Sequence, residues 1–146
     1  MNPNIWGPGA WLFLHSITLS YPTKPTYQQK RIYSDFFNLL AYVLPCIKCK
    51  ENYKKHITEN PISHNLDTKK DFIKWLINIH NKTNKINDKK EISYKEFETI
   101  YSDLYKNKEE SITYYKNKNI TQKTIISILL GVITLLVFFI AFKYYI

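Results

Sequence analysis

The segment LPCIKC, residues 44–49, contains the only two cysteines of the chain, Cys46 and Cys49. Two thiols at this spacing can bind a metal, form a structural disulfide or exchange a disulfide with another molecule. At the start of a helix, the first sulfur faces the positive end of the helix dipole, which lowers the pKa of a thiol. Lys48 and Lys50 add positive charge nearby. The residues therefore favour a redox-active pair, which needs an electron acceptor.

Three other interpretations of the cysteine pair explain less of the sequence. A structural zinc site needs four ligands, but the chain has no second cysteine pair, and its histidines do not pair at HxxxH spacing. A thioredoxin-like motif needs a strand before the cysteines, whereas helical patterns flank them on both sides. Two buried, unreactive cysteines would not account for a spacing that one helical turn can close. We therefore predict no metal site.

A place for an electron acceptor is suggested by two stretches away from the cysteines, WGPGAWLFLHSITLSYP (residues 6–22) and FIKWLINIHNKTNK (residues 72–85). Trp11 and His15 are four residues apart on one helix face, as are His80 and Asn84 on another, with Asn81 beside them. Aromatic walls with a few placed polar groups are typical of cofactor pockets. Taken singly, each residue is also typical of an ordinary helix, and only their combination with the cysteines indicates a site.

Together with LPCIKC, these stretches resemble the Erv/ALR family of FAD-linked sulfhydryl oxidases, and most closely those of large DNA viruses. Members share a WG…W…H…YP helix, a PCxxC motif and a later W…HNxxN helix in that order, and the resemblance covers about residues 5–101. It implies an FAD bound inside a helical bundle beside the cysteine helix. The cofactor-binding residues that it implies are Trp11, His15, His80, Asn81, Asn84 and Lys89, the last as a partner of the pyrophosphate.

The resemblance also implies a route for the electrons. A substrate dithiol attacks the disulfide at Cys46, Cys49 is released beside the flavin and reduces it, and the flavin reduces dioxygen to hydrogen peroxide. Because the chain has no other cysteines to relay electrons, a protein dithiol or a small CxxC shuttle protein must reach Cys46 directly. The family further implies a homodimer and a role in forming disulfides during virion assembly. The alternatives are a membrane-anchored helical adaptor and a flavin-free disulfide relay protein.

Helical patterns predict how these motifs are positioned, since glycine is scarce and the prolines fall near helix ends. We predict an all-α fold, with a small four-helix bundle plus a short fifth helix over residues 1–105. The first helix is expected to begin near Pro8, and the second to run from about Thr26 to Leu44. The third should start at the cysteines, the fourth after Asp67 or Thr68, and the fifth should run from a Ser93–Glu96 capping box to about Tyr105. The inward stripe predicted for the second helix is Ile32, Phe36, Leu40 and Val43.

The C-terminal part of the sequence divides into three segments. Residues 106–123 are polar and are predicted to be a linker, and residues 143–146 form a short tail. Residues 124–142 carry no charge and would span about 28 Å as a helix, which predicts a transmembrane helix. More lysines precede this segment than follow it, so the positive-inside rule favours a cytosolic catalytic domain anchored to a host or virion membrane.

The charge of the chain, formally +9 at pH 7, does not indicate nucleic-acid binding. The basic residues are spread along the sequence, and Arg31 is the only arginine, whereas nucleic-acid-binding surfaces cluster basic charge and use more arginine. The N-terminus also lacks the basic and apolar regions of a signal peptide. We therefore expect a membrane but no nucleic acid among the partners.

Overall fold

The structure, a computed structural model, describes the backbone of residues 1–145, and the side chains of residues 1–107, 109, 112, 113, 116, 117, 120–131 and 133. Its helices are α1 (Pro3–Leu19), α2 (Tyr27–Val43), α3 (Ile47–Glu59), a short 3-10 helix (Ile62–Asn65), α4 (Lys69–Ile86) and α5 (Tyr94–Tyr145). No strand occurs in residues 1–145, which confirms the all-α prediction. The chain forms two compact units, Met1–Phe97 and the part from Glu98 onward, and the functional motifs lie in the first.

Helix α1 begins five residues before the predicted start at Pro8, which lies inside the helix. The side chain of Asn2 accepts a hydrogen bond from the Asn4 N–H at 3.0 Å and so caps the helix. Pro3 follows the cap, where its fixed φ already suits a helix. Pro8 has no backbone N–H to donate, so α1 lacks one hydrogen bond at this position.

Helix α2 begins as predicted, with a capping box in which Thr26 and Gln29 exchange hydrogen bonds between side chain and backbone. Its predicted inward stripe is shifted, however. Phe37 is fully buried, whereas Ile32 is 58% and Val43 69% exposed. The helix is rotated because Phe37 packs against the aromatic side chains of α4. The Phe37 ring centroid lies 5.2 Å from that of Phe72. Ile32 and Val43 were therefore wrong as inward residues.

Helices α3 and α4 begin at the predicted caps. The Cys46 sulfur accepts the Cys49 N–H at 3.2 Å and caps α3. The Thr68 hydroxyl accepts the Asp71 N–H at 3.1 Å and caps α4. The apolar face of α4 is buried, and it consists of Phe72, Trp75, Leu76 and Ile79. Because α1 and α3 both pack on α4, this helix positions both motif-bearing regions of the first unit.

Three buried side chains donate hydrogen bonds to backbone oxygens of other segments. The donors are the Tyr21 hydroxyl to Leu66 O at 2.9 Å, the Tyr53 hydroxyl to Phe37 O at 2.9 Å and the Trp75 indole to Asn60 O at 2.9 Å. Each side chain adds apolar contact area with its ring and satisfies its own polar atom. These bonds therefore fix how α2, α3 and α4 sit against one another.

Helix α5 begins with the predicted capping box, because the Ser93 N–H donates to Glu96 Oε2 at 2.8 Å and the Glu96 N–H donates to Ser93 Oγ at 3.2 Å. The predicted end near Tyr105 was wrong, since the helix continues to Tyr145. The segment predicted as a polar linker, residues 106–123, is therefore helical. That segment is polar, but it contains no glycine or proline to end a helix.

A transmembrane helix was predicted for residues 124–142. Among the residues whose side chains the structure describes, no helix is both long enough and apolar enough to cross a membrane. The side chains of residue 132 and of residues 134–142 lie outside the described part. The membrane span stays a prediction.

The hydrogen bond between Tyr53 and Phe37 gives a stability prediction. We expect Tyr53→Phe to lower the free energy of unfolding by about 1–2 kcal/mol, because the buried carbonyl of Phe37 loses its donor. Urea denaturation of the full chain followed by far-UV circular dichroism measures this change. Tyr27→Phe, at a tyrosine that is 82% exposed, is the matched control and should change little. Equal stability of the two variants would contradict the prediction.

Candidate functional site

Three predicted site residues form one ring cluster, which consists of Trp11 and His15 on α1 and His80 on α4. The Trp11 and His80 rings are stacked, with centroids 3.9 Å apart and an interplanar angle of 8°. His15 Nε2 and His80 Nδ1 are 3.0 Å apart, so one imidazole donates to the other. The structure thus brings together residues that are 65 positions apart in the sequence.

Phe97 belongs to the same cluster, and the sequence analysis missed it. Its ring centroid lies 4.9 Å from that of His15, and the side chain is fully buried. The capping box at Ser93 and Glu96 could have predicted that Phe97 is buried. In a capped helix, the residue at the fourth helical position, here Phe97, commonly packs as an apolar staple. The start of α5 therefore forms one wall of the cluster.

Both histidines of the ring cluster are electrically neutral at physiological pH. Burial, followed by the neighbouring His80, lowers the pKa of His15 to about 3. Burial, followed by the positive charge of Lys89, lowers the pKa of His80 to about 4. The pair therefore offers a neutral, partly apolar surface with both a donor and an acceptor.

Asn81 and Asn84 hold the loop after α4. Asn81 Nδ2 donates to Ile92 O at 2.8 Å, and the Ile92 N–H donates to Asn81 Oδ1 at 3.0 Å. Asn84 Nδ2 donates to Lys90 O at 3.2 Å. The turn passes through Asp88, whose φ of 51° is left-handed. Both amides therefore fix the loop, and their predicted role as direct cofactor contacts stays a prediction.

Lys89 lies in this loop with its side chain exposed. Its backbone N–H donates to Asn84 O at 2.9 Å, which fixes the start of the side chain. Its charge reaches His80, as the lowered pKa of that histidine indicates. The loop thus places a cation near the ring cluster, where an anionic group could be bound.

The two cysteines form a disulfide at the start of α3, with Cα atoms 5.1 Å apart. Their environments differ. Cys46 lies at the cap, before the first turn, and is followed by the exposed Ile47. Cys49 shares an inward helix face with the buried Tyr53 and His56, at i, i+4 and i+7 spacing. Cys49 therefore faces the bundle, whereas Cys46 lies at its edge.

His56 joins this cysteine helix to α4. It is buried, and in the described part of the chain neither ring nitrogen has a hydrogen-bond partner. Beside it, Lys82 and Glu59 form an ion pair at 2.8 Å between α4 and α3. Burial, followed by the charge of Lys82, lowers the pKa of His56. The sequence alone did not single out His56 as a site residue, because its burial depends on how α3 packs.

The residues fit a bound flavin nucleotide by their chemistry. A stack of Trp11 and His80 presents flat ring surface, neutral imidazoles supply a donor and an acceptor, and Lys89 supplies a cation for a pyrophosphate. Buried polar atoms without partners are rare in proteins, so the His56 nitrogens are consistent with a bound polar molecule. The redox-active disulfide is the group that such a cofactor would oxidise or reduce.

The lowered histidine pKa values predict that stability decreases below about pH 6.5, the pKa of an unfolded-state histidine. Between about pH 6.5 and 5, the unfolded chain takes up protons that the folded His15 and His80 do not. Each of these two histidines should then lower the free energy of unfolding by about 1 kcal/mol for each pH unit. Urea denaturation at several pH values measures the slope. His15→Gln should flatten it and the exposed His64→Gln should not, and an unchanged slope in His15→Gln would refute this assignment.

Comparisons with known proteins identify the family of this chain. The Erv1 / Alr family model matches residues 8–102. The probable FAD-linked sulfhydryl oxidase R368 of Acanthamoeba polyphaga mimivirus is 38% identical over 117 residues, which are 79% of this chain and 82% of that protein. The FAD-linked sulfhydryl oxidase of African swine fever virus (isolate Pig/Kenya/KEN-50/1950) is 33% identical over 98 residues, 66% of this chain and 79% of that protein.

The comparison with solved structures also supports the Erv1/Alr family. The crystal structure of the FAD binding domain of Erv1 from Saccharomyces cerevisiae aligns with a TM-score of 0.66 at 31% identity, over 70% of this chain and 96% of that one. The motifs of the ring cluster and of the cysteine helix both lie within the matched residues 8–102. The resemblance inferred from three short motifs is thereby confirmed over residues 8–102, and the chain belongs to the Erv1/Alr family.

Proposed function

We propose that this protein is an FAD-linked sulfhydryl oxidase that forms disulfide bonds in protein substrates. The observation that carries the proposal is the disulfide Cys46–Cys49 at the start of α3, in a bundle that also assembles Trp11, His15 and His80. Its relatives in two viruses carry the name of this activity. A bound FAD would supply an acceptor for the two electrons of the dithiol, with dioxygen as the final oxidant and hydrogen peroxide as its product.

The cysteines perform two successive exchanges. A substrate thiolate attacks the sulfur of Cys46, the Cys46–Cys49 bond breaks, and Cys49 leaves with the electron pair as a thiolate. The second substrate thiolate then attacks its partner sulfur in the mixed disulfide, and Cys46 leaves as a thiolate. Overall, two substrate thiols become one disulfide, and the enzyme dithiol carries two electrons and two protons.

The asymmetry of the cysteines supports this order. Cys46 lies at the edge of the bundle, where a protein substrate can approach it. Its sulfur accepts the Cys49 N–H at 3.2 Å, and both this bond and the helix dipole stabilise the thiolate that leaves in the second exchange. Cys49 faces the interior, on the side where a cofactor would receive its electrons. In this proposal, Trp11, His15, His80 and Lys89 hold the cofactor, and Asn81 and Asn84 hold the loop that carries Lys89.

The partners of the enzyme follow from what the chain has and lacks. Because it has no other cysteines, its reductant is a protein dithiol or a small CxxC shuttle protein that reaches Cys46 directly. A homodimer through the first two helices would cover apolar side chains that are exposed on α1 and α2, namely Leu12, Phe13, Ile32 and Leu39. The uncharged residues 124–142 support a C-terminal membrane anchor, with the catalytic unit in the cytosol.

The cellular setting is proposed on the same basis. The relatives in two large DNA viruses support a role in making disulfide-bonded virion proteins at a host or virion membrane. Cytosolic thiols are normally kept reduced, so an oxidase acting there needs an acceptor outside the glutathione pool, and dioxygen is such an acceptor.

Both cysteines should be required for activity. We expect Cys46→Ala and Cys49→Ala each to abolish dithiol-dependent oxygen consumption by the full chain while the bound flavin spectrum is retained. Given the substrate in its oxidised, disulfide form, Cys49→Ala should accumulate a mixed disulfide at Cys46. The Cys46 thiolate attacks the substrate disulfide, one substrate sulfur leaves as a thiolate, and the variant has no Cys49 thiolate to displace the other substrate sulfur. Mass spectrometry under non-reducing conditions detects this adduct. An adduct at Cys49 in the Cys46→Ala variant, with none at Cys46 in Cys49→Ala, would reverse the proposed order.

Binding of FAD should depend on the Trp11 ring. The purified full chain should be yellow, and Trp11→Ala should weaken FAD binding by about tenfold or more, because a stacked ring surface is lost. Trp11→Phe keeps a ring and is the matched control, so it should retain most of the affinity. Flavin released on denaturation measures the occupancy. A colourless wild-type chain that still exchanges disulfides would identify a flavin-free relay protein, and a colourless, dithiol-inert chain would identify the helical adaptor.

A further inference from the structure

A surface beside the disulfide combines apolar and basic side chains without an assigned role. We define it as the docking surface, formed by Tyr42, Ile47, Lys50 and Lys54. Tyr42 is 65% and Ile47 77% exposed, so both are unusually open for apolar side chains next to a reactive group. The Lys54 ammonium lies 6.0 Å from the centroid of the Tyr42 ring, which joins the basic and apolar parts of the surface across α3 and α2.

The docking surface adjoins the outer cysteine. Ile47 follows Cys46 directly, and the Lys50 N–H donates to Cys46 O at 3.0 Å, so Lys50 begins one helical turn after that cysteine. Ile47, Lys50 and Lys54 occur at i, i+3 and i+7 on α3 and share one side of the helix. A molecule whose thiol reaches the Cys46 sulfur can therefore contact these side chains.

The charge of this region is positive. Among residues 47–58, the acidic side chain is Glu51, against the lysines at positions 48, 50, 54 and 55. None of these four lysines takes part in an ion pair within residues 1–107. On α2, the carboxylate of Asp35 pairs with Arg31 at 3.8 Å. Complementary charge on a partner would therefore have to be negative.

We propose, building on the oxidase function above, that the docking surface selects protein thiols whose cysteine is flanked by an apolar residue and by acidic residues. The apolar side chain of the partner packs on Tyr42 and Ile47, and its carboxylates lie against Lys50 and Lys54. The partner cysteine is thereby held at the Cys46 sulfur for the exchange. The occupant is an extended, acidic segment of a dithiol protein, and the surface sets which thiols the enzyme oxidises rapidly.

Two reduced peptides test this proposal on the full-length, flavin-loaded chain. They share a leucine and a Cys-x-x-Cys pair and differ only in two flanking residues, which are Glu in one and Lys in the other. We expect kcat/KM, measured by oxygen consumption, to be about five times higher for the Glu peptide. The double variant K50E/K54E should reverse this preference, and about 0.5 M salt should remove most of it. Y42S and I47S should reduce kcat/KM for both peptides.

Dithiothreitol and a distant charge change serve as controls. K24E makes a single Lys→Glu change, half the charge change of K50E/K54E, just before α2, at the opposite end of that helix from Tyr42, and should keep the preference for the Glu peptide. Equal rates for the two peptides with the wild-type chain, or the same loss in K24E as in K50E/K54E, would overturn the proposal. If the wild-type chain fails to oxidise dithiothreitol, the oxidase function itself is overturned, and the docking proposal with it.

Other occupants of this surface would give different results. A change in sedimentation mass in Y42S or I47S would assign the surface to a second copy of this chain and overturn the proposal. Binding of the chain to phosphatidylserine vesicles that is lost in K50E/K54E would assign it to a membrane, with the same consequence. Unchanged mass and unchanged vesicle binding, together with the peptide preference, support a protein substrate.

Discussion

The structure depends on the burial of one face of α4. Phe72 and Trp75 meet Phe37 of α2 with nearly perpendicular rings, at centroid distances of 5.2 and 5.4 Å. The Trp75 indole also bonds the chain after α3 through Asn60 O. Because the same helix continues by little more than one turn from Trp75 to His80, the packing that stabilises the bundle also fixes the depth and direction of the ring cluster. With a single disulfide and no other cysteines, this packing is what holds the first unit together.

Stability and chemistry are assigned to different parts of the same helices. On α3, Tyr53 faces α2 and bonds it, whereas Cys46 lies at the other end of the helix, before its first turn. On α4, the first half carries the aromatic core, and the second half carries His80 and the two asparagines that hold the next loop. The reactive disulfide and the ring cluster are therefore both supported by rigid helices, which keeps their side chains in place without staples elsewhere in the chain.

Much of this arrangement could be predicted from the sequence, because it depends on local signals. Thr26, Thr68 and Ser93 each cap a helix as their side chains indicate, and the apolar spacing of α4 identifies its buried face. The ring cluster followed from helix spacing combined with a family resemblance.

The inward face of α2 could not be predicted, since Ile32 and Phe37 are both apolar and only the position of Phe72 decides between them. The function of Asn81 in holding Ile92 also depends on a loop path that spacing does not determine, and the length of α5 was missed because polarity alone does not end a helix.

The position of the disulfide has a consequence for the conformational entropy of the chain. It joins cysteines that are three residues apart, so the covalent ring is short and restricts little of the unfolded ensemble. It also lies before the first turn of α3 and does not cross between helices. Breaking it therefore removes little of the free energy that keeps the bundle folded. The oxidised and reduced forms share one architecture, and the thiols can change oxidation state in every turnover without a cycle of partial unfolding.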